Sequence, residues 1–178
     1  QALRASGPVI IDGALESTWD SALWQEFRHP TRSDNVVRFA TRWDDTNLYL
    51  AFDVTDGSVE TDATEPYRND SVELYFDPAY TRTMSLDADD VSAFVVATGL
   101  ATDSAFESAA ATTPSGYIVE VAVPFSRLAH TPMEGDVLGL LVGNNDRDVG
   151  SSSQFDWAGI GDTGPYARPH LWGDLLLV

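Results

Sequence analysis

The stretch PYRNDSVELYFD at positions 66–77 constrains the fold most, because apolar and polar residues alternate through its second half. Successive side chains of a β-strand point to opposite faces, so this alternation predicts a strand. Val72, Leu74 and Phe76 would then face a core. The opposite face would carry polar and aromatic groups, namely Ser71, Glu73, Tyr75 and Asp77.

Further strand patterns follow along the chain. The ranges 36–43 and 48–54 alternate in period two around an Asp-Asp-Thr-Asn turn, which predicts a hairpin. We expect more strands at 7–13, 92–98, 104–111, 116–123, 136–146 and 175–178, and one or two short helical turns, at 15–23 and 125–128. The Gly/Ser-rich segment 147–153 is typical of a loop. The sequence therefore predicts an all-β protein, and a length of 178 residues suits a single domain over 1–178.

The charge balance excludes several partners. The formal net charge is −18, and every one of the ten basic side chains is arginine. Nucleic acids and anionic membranes attract basic surfaces, so neither is an expected partner. There is no cysteine, which excludes disulfides, thiol nucleophiles and cysteine-ligated metals. No common catalytic motif occurs, and an enzyme is not expected.

The acidic residues have two interpretations. They can form the solvated surface of a secreted protein, or they can bind Ca²⁺, which prefers six to eight hard oxygen ligands. The candidate calcium ligands fall into two groups, Asp77 with Asp87, Asp89 and Asp90, and Asp53 with Asp56. Asn144, Asp146 and Asp148 also alternate as in a calcium loop, although the spacing is not that of an EF-hand.

Two tyrosines and one glutamate favour sugar binding. Tyr67 and Tyr166 lie in Pro/Gly-rich turns that present a ring to solvent, and Glu73 lies on the non-core face of its strand. A sugar has an apolar C–H face that stacks on such a ring, and a carboxylate at its edge accepts two hydroxyl hydrogen bonds. The alternative is that both tyrosines pack against loops.

Six segments in the same order resemble a family 9 carbohydrate-binding module over nearly the whole chain. They are VIIDG followed by Trp19, RWDDTNLYLAFDVTD, PYRNDSVELYFD, GYIVEVAVP, LGLLVGNND and PHLWGDLLL. The resemblance implies an antiparallel, two-sheet, jelly-roll-like β-sandwich with bound calcium. It also implies a noncatalytic module that binds a polysaccharide or oligosaccharide and is linked covalently to the catalytic domain of a secreted enzyme, and hence an extracellular location.

The resemblance also assigns candidate ligand residues. Its two stacking rings correspond to Tyr67 and Tyr166, and its sugar-binding carboxylate corresponds to Glu73. Trp172 matches an aromatic position before the closing Gly, where a structural role is usual. The candidate ligand-binding residues are therefore Tyr67, Glu73 and Tyr166, together with Arg68 and Trp172.

The chain departs from the family pattern where polar side chains toward the sugar are usual. Phe94, Val96 and Gly143 occupy those positions, which puts the family's usual glucan or xylan reducing end in doubt. We therefore hypothesise that an arginine, Arg68, Arg147 or Arg168, binds a different or anionic sugar, because a guanidinium pairs well with carboxylate or sulfate.

Two other functions stay open. Related sandwich folds carry haem in electron transfer, with Met84, Met133 and three histidines as the available axial ligands. A scaffold or adhesion domain without a ligand is the other alternative, and the three departures from the family pattern favour it.

Overall fold

The structure is a computed structural model that describes residues 1–29, 35–148, 151–158 and 165–178. In these ranges the chain forms two β-sheets, which confirms the predicted all-β sandwich. The strands are β1 (Leu3–Arg4), β2 (Gln25–Arg28), β3 (Val36–Trp43), β4 (Asn47–Thr55), β5 (Ser71–Asp77), β6 (Val91–Val96), β7 (Glu107–Thr113), β8 (Gly116–Pro124), β9 (Val137–Asp148), β10 (Ser151–Asp156) and β11 (Gly173–Leu176).

The first sheet has the strand order β1-β3-β4-β8-β7, and β2 also pairs with β3. The second sheet has the order β10-β9-β5-β6, and β11 also pairs with β9. The pairings between these strands are antiparallel, apart from the short parallel pair of β1 and β3. The predicted hairpin at 36–54 is β3 and β4, so that prediction is confirmed.

The core lies between the two sheets and follows the alternation of the sequence. From the second sheet, Val72, Leu74 and Phe76 are buried in it, as predicted. The first sheet contributes alternate residues of β4 and β8, among them Leu48, Leu50, Phe52, Val54, Tyr117, Val119, Val121 and Val123. Because the apolar residues of β5 point inward, its other residues lie on the outer face of the second sheet.

The N-terminal segment covers the outer face of the first sheet. Trp19 is buried there against Tyr49 and Ala51. The predicted strand at 7–13 is wrong, because these residues pair with no strand. The carboxylate of Glu120 accepts hydrogen bonds from the backbone N–H groups of residues 12 and 13 and from the Trp19 indole instead.

The loop predicted at 147–153 is wrong for the described residues of that segment, since β9 extends to Asp148 and β10 begins at Ser151, while residues 149 and 150 lie outside the described part of the chain. The helical turn predicted in 15–23 is present as a short 3-10 turn, Ser17–Trp19, and others are Pro66–Arg68, Pro165–Ala167 and Pro169–Leu171. Residues 125–129 form a hydrogen-bonded turn, in which the N–H of Leu128 donates to the carbonyl of Pro124 four residues earlier, as in one turn of a helix. Among the described residues, no helix has the length and apolar character that crossing a membrane requires.

Candidate functional site

The outer face of the second sheet carries a cleft of about 280 Å³. Strand pairing places Glu73 of β5 between Phe94 of β6 and Gly143 of β9. The residues that line the cleft are Tyr67, Glu73, Tyr75, Phe94, Asn145, Gln154 and Tyr166. The two tyrosines predicted from their turns therefore lie at the same cleft as the predicted glutamate.

Tyr67 and Tyr166 present their rings to solvent. Their exposed fractions are 49% and 44%, which is high for aromatic side chains of this size. Tyr67 belongs to the 3-10 turn that directly precedes β5, and Tyr166 belongs to the turn Pro165–Ala167. Both rings are thus held by short turns at the border of the sheet rather than packed under loops.

Glu73 lies on the floor of the cleft and is almost fully buried. Its Oε1 accepts a hydrogen bond from the side-chain amide of Asn145 at 2.8 Å. Its Oε2 accepts one from the hydroxyl of Tyr75 at 2.8 Å and one from the amide of Gln154 at 2.7 Å. A carboxylate has about four acceptor positions, so about one is left for a ligand. The expectation that Glu73 has two positions free to accept sugar hydroxyls is therefore wrong.

Burial raises the pKa of Glu73 above its usual value, although the three donors oppose this effect. Burial and the adjacent carboxylate also raise the pKa of Tyr75, so Tyr75 keeps its proton and acts as a donor. The floor of the cleft is therefore a fixed set of hydrogen bonds around one carboxylate.

Gly143 provides the space for Glu73. A Cβ at this position would lie 3.4 Å from both Cβ and Oε2 of Glu73, and 3.3 Å from the backbone oxygen of Phe155. Gly143 thus contributes no side chain to the cleft floor, and Glu73 packs directly against it. The polar groups of this part of the cleft come from Asn145 and Gln154 instead.

Asn145 and Gln154 were not identified from the sequence. They face each other across the β9–β10 pair, and each donates to Glu73. The signal for Asn145 was available, because it lies two residues after Gly143 on the same face of β9. Gln154 lies in the segment that was predicted to be a loop, so its alternation was missed.

Trp172, predicted as a ligand residue, is only 2% exposed and does not line the cleft described above. It is buried with Tyr75 and Leu141 on the outer face of the sheet. Its ring lies 5.8 Å from that of Tyr75, and Tyr75 in turn stacks on Tyr166 at 6.4 Å. The prediction that Trp172 contacts the ligand is therefore wrong. Its ring packs against Tyr75 and so supports a residue that lines the cleft.

Arg68 lies beside the cleft rather than in it. Its guanidinium is 5.8 Å from the centre of the Tyr67 ring and is exposed. A second cavity, of about 860 Å³, adjoins Tyr67 on this side. Two of the three departures from the family pattern, Phe94 and Val96, lie on β6. Phe94 lines the cleft, whereas Val96 is buried and pairs with Ser71.

Three buried carboxylates meet at one end of the sandwich. Ligand oxygens of Asp56, Asp70 and Asp146 lie within 4.8 Å of one another. Asp53, predicted as the partner of Asp56, is separate from this group, because its side chain points to the other face of β4 and pairs with Arg38. Asp70 was not predicted from the sequence as a member of this group, and Asp146 was assigned to a different one. The three residues lie at the ends of three different strands, so their proximity depends on the fold.

This group is short of hydrogen-bond donors. Among the described residues, Oδ2 of Asp56 and Oδ1 of Asn144 are buried without a partner. Burial raises the pKa of Asp70 to about 7, although backbone N–H groups of Glu60 and Arg147 donate to it. Burial, together with the neighbouring carboxylates, also raises the pKa of Asp56. The donor set is hard oxygen, which fits Ca²⁺.

A second carboxylate group lies beyond the end of β5. Asp77, Asp89 and Asp90 each place an oxygen within 4.8 Å of the others, as the sequence predicted for a group near Asp77. Asp87 is bound into the same loop, because its backbone N–H donates to Asp90. Among the described residues, Oδ2 of Asp89 and Oδ1 of Asp90 are buried without a partner.

The electrostatics of this second group resemble those of the first. Burial and the adjacent carboxylates raise the pKa of Asp90 to about 6. Asp77 accepts backbone hydrogen bonds from Thr81 and Arg82, which fix the loop around the group. These oxygens also fit Ca²⁺.

The haem alternative finds no support in the described part of the chain. Met84 and Met133 lie on the surface, 76% and 64% exposed, and apolar side chains fill the space between the sheets. His130 is hydrogen-bonded to Asp136, and His170 to a backbone oxygen of Thr83.

Retaining and inverting glycosidases both place two carboxyl groups at the scissile bond. Among the described residues that line the cleft, Glu73 is the one carboxyl group. A β-sandwich with aromatic rings and amides around a shallow cleft is the architecture of a noncatalytic carbohydrate-binding module. The family model described as "Carbohydrate family 9 binding domain-like" matches residues 11–178, so the chain belongs to this family.

Solved structures agree with this assignment. A family 9 carbohydrate-binding module from Caldicellulosiruptor kristjanssonii, solved in complex with glucose, has a TM-score of 0.86 and 25% sequence identity, covering 99% of this chain and 94% of that one. The same module was also solved with cellotriose. A protein from Bacteroides uniformis is similar in fold, with a TM-score of 0.74, 13% identity and coverage of 99% of this chain and 97% of that one.

Curated relatives are much longer than this chain. "Exoglucanase XynX" of Acetivibrio thermocellus is 32% identical over 155 residues, which cover 80% of this chain and 14% of the relative. "Endo-1,4-beta-xylanase A" of Thermoanaerobacterium saccharolyticum is 31% identical over 161 residues, covering 85% and 14%. The chain thus spans about one seventh of the length of these relatives.

Proposed function

We propose that the cleft binds one sugar, the terminal unit of a polysaccharide, between the rings of Tyr67 and Tyr166. The observation that carries this proposal is that both exposed rings line one cleft with Glu73. Its volume of about 280 Å³ is at the lower end of the range for ligand sites, which suits a single ring. The complexes of the related module with glucose and cellotriose support the ligand class.

The amides of Asn145 and Gln154 bind the sugar hydroxyls in this proposal. Each amide nitrogen donates to Glu73, so each amide oxygen is directed away from that bond. Neither Oδ1 of Asn145 nor Oε1 of Gln154 makes a hydrogen bond within the described part of the chain. Glu73 therefore orients two acceptors and offers its remaining acceptor position to a third hydroxyl.

Calcium ions are proposed to hold the two carboxylate groups together. The unpartnered buried oxygens of Asp56 and Asn144, and those of Asp89 and Asp90, support this assignment. Asp56, Asp70 and Asp146 would bind one ion, and Asp77, Asp89 and Asp90 another, with a structural role. Because Asp70 lies three residues after Tyr67, the first ion would also stabilise the turn that presents this ring.

The module is proposed to direct a covalently linked, extracellular enzyme to its polysaccharide. The named relatives are an exoglucanase and a xylanase, and the similarity covers only 14% of each. A noncatalytic domain that binds the substrate raises the effective concentration of an attached catalytic domain at that substrate.

Affinity electrophoresis tests the proposed function. The protein is run through gels that contain a panel of neutral and acidic polysaccharides, once with Ca²⁺ and once with EDTA. We expect retardation by at least one polysaccharide and weaker retardation in EDTA. Unretarded migration on every gel would contradict the proposal and favour the scaffold or adhesion alternative.

A further inference from the structure

The arginines of this acidic protein are mostly paired with carboxylates. In the described part of the chain, the ion pairs of arginine are Arg4 with Asp45, Arg28 with Glu26, Arg38 with Asp53, Arg82 with Asp174, Arg127 with Asp103, and Arg147 with Asp62 and Glu60. Two exposed arginines, Arg68 and Arg168, have no carboxylate partner among the described residues. Arg68 follows Tyr67 and lines the second cavity, and Arg168 comes two residues after Tyr166 in the chain.

Arg68 lines the second cavity, which adjoins the cleft at Tyr67. Tyr67 lines both this cavity and the cleft, so a sugar stacked on its ring would have its neighbouring unit within reach of the cavity. The cavity is lined by Glu60, Ala63, Tyr67, Arg68, Arg147, Asp148, Ser151 and Ser152. Its size, about 860 Å³, is ample for a further sugar unit.

The charged groups of the cavity do not contribute equally. Arg147 is bound to Asp62, and its Nε lies 4.0 Å from Glu60, so its charge is neutralised within the protein. Glu60 and Asp148 contribute carboxylates to the same lining. Among the described residues, Arg68 is the arginine of this cavity without a carboxylate partner, and its guanidinium lies 5.8 Å from the ring centre of Tyr67.

We propose that this cavity binds an acidic sugar unit, next to the sugar held by Tyr67, through a pair between its carboxylate and Arg68. The inference rests on the proposed function of the cleft and names its ligand class as a polysaccharide that bears uronic acids. A planar guanidinium matches a planar carboxylate with two parallel hydrogen bonds. Of the three arginines considered from the sequence, Arg68 is therefore selected.

Isothermal titration calorimetry with a matched pair of ligands tests this inference. One ligand is a xylo-oligosaccharide that carries a glucuronosyl unit, and the other is the same compound with the carboxyl group reduced to an alcohol. We expect the acidic ligand to bind the unmodified protein about threefold to tenfold more tightly, with a smaller difference at high salt. A sulfated oligosaccharide of the same length shows whether any anion suffices.

Three variants locate the effect. Arg68→Ala should bind both ligands with equal affinity, while Arg4→Ala, the control for loss of one exposed positive charge on the first sheet, should keep the preference. Equal affinities in the unmodified protein, an equal gain from sulfate, or a preference that survives Arg68→Ala and disappears in Arg168→Ala would overturn the inference. Failure of both ligands to bind would also overturn it, whereas only unretarded migration on every gel of the polysaccharide panel would overturn the function of the cleft itself, so the two failures are distinguishable.

Discussion

Tyr75 donates a hydrogen bond of 2.8 Å to Oε2 of Glu73, two residues earlier on the same face of β5. Both side chains are buried, and the Tyr75 ring also stacks on Tyr166, one of the two exposed rings of the cleft. One residue thus links the position of the carboxylate to the position of a stacking ring.

Replacement of Tyr75 by Phe should therefore separate these two functions. The ring remains, but Glu73 loses one of its three donors, and a buried hydrogen bond to a charged group contributes about 1.5–3 kcal/mol. We expect the free energy of unfolding to fall by about that amount and sugar affinity to fall several-fold. Chemical denaturation and calorimetry measure the two effects, and an unchanged affinity would show that Glu73 is positioned without Tyr75.

Sugar binding should depend on pH through Glu73. Burial raises its pKa above the usual 4.5, so Glu73 takes up a proton at a higher pH than an exposed glutamate does. The protonated form loses acceptor capacity toward Asn145, Gln154 and the sugar, and affinity should fall as the pH is lowered through this raised pKa. Titrations between about pH 4 and about pH 8 measure this dependence. In Glu73→Gln the affinity should be low and independent of pH over that range.

Gly143→Ala tests the space requirement of the cleft floor. The added Cβ would lie 3.3 Å from the backbone oxygen of Phe155 and 3.4 Å from Glu73, so β10, which carries Gln154, must shift by a few tenths of an ångström. We expect weaker sugar binding with a small change in stability. Gly7→Ala is the matched control, because a Cβ at Gly7 meets no atom within 4 Å. Equal affinities of the two variants would contradict the role given to Gly143.

Removal of calcium should make stability depend on pH. The raised pKa values of Asp56 and Asp70, the latter about 7, mean that the metal-free folded state holds protons that the unfolded state has lost. Its stability should therefore fall as the pH rises from about 4 toward 7. Added Ca²⁺ should raise the melting temperature most at the upper end of this range.

Asp56→Asn distinguishes the effect of Ca²⁺ binding from the effect of the buried negative charge of Asp56. Oδ1 of Asp56 accepts the backbone N–H of Ser58, and an asparagine keeps this bond while it places an amide nitrogen at the unpartnered position. The variant should melt at a higher temperature than the unmodified protein in EDTA and respond less to Ca²⁺. An equal response of both proteins to Ca²⁺ would contradict a calcium site at Asp56.

Local alternation in the sequence predicted the strands that form the core. The hairpin of β3 and β4 and the two faces of β5 follow directly from period two, because each is long and contains few small residues. The segment at 7–13 has a short apolar run but no partner strand; Val9 and Ile11 pack against the cluster around Trp19, and the carboxylate of Glu120 binds the backbone N–H groups of residues 12 and 13. Local sequence does not reveal such a long-range partner.

The residues of the candidate site could be predicted only where the local sequence around a single residue indicates its exposure. Tyr67 and Tyr166 were selected because their turns expose a ring, and the structure places them at one cleft. Gln154 and Asp70 depend on the pairing of β9 with its neighbours, which the sequence does not specify. Trp172 carries the same aromatic signal as the tyrosines, yet packing against Tyr75 buries it.

The central claim is that the two exposed tyrosines hold the sugar. Calorimetric titration of Tyr67→Ala, Tyr166→Ala and the double variant, with the oligosaccharide that binds best in the polysaccharide screen, tests it most directly. Tyr80→Ala is the control, since Tyr80 is 38% exposed and lies outside the cleft. The account predicts a loss of about tenfold or more for each single variant, no measurable binding by the double variant, an unchanged affinity for the control, and a folded circular dichroism spectrum for all four. A folded double variant that binds as tightly as the unmodified protein would contradict it.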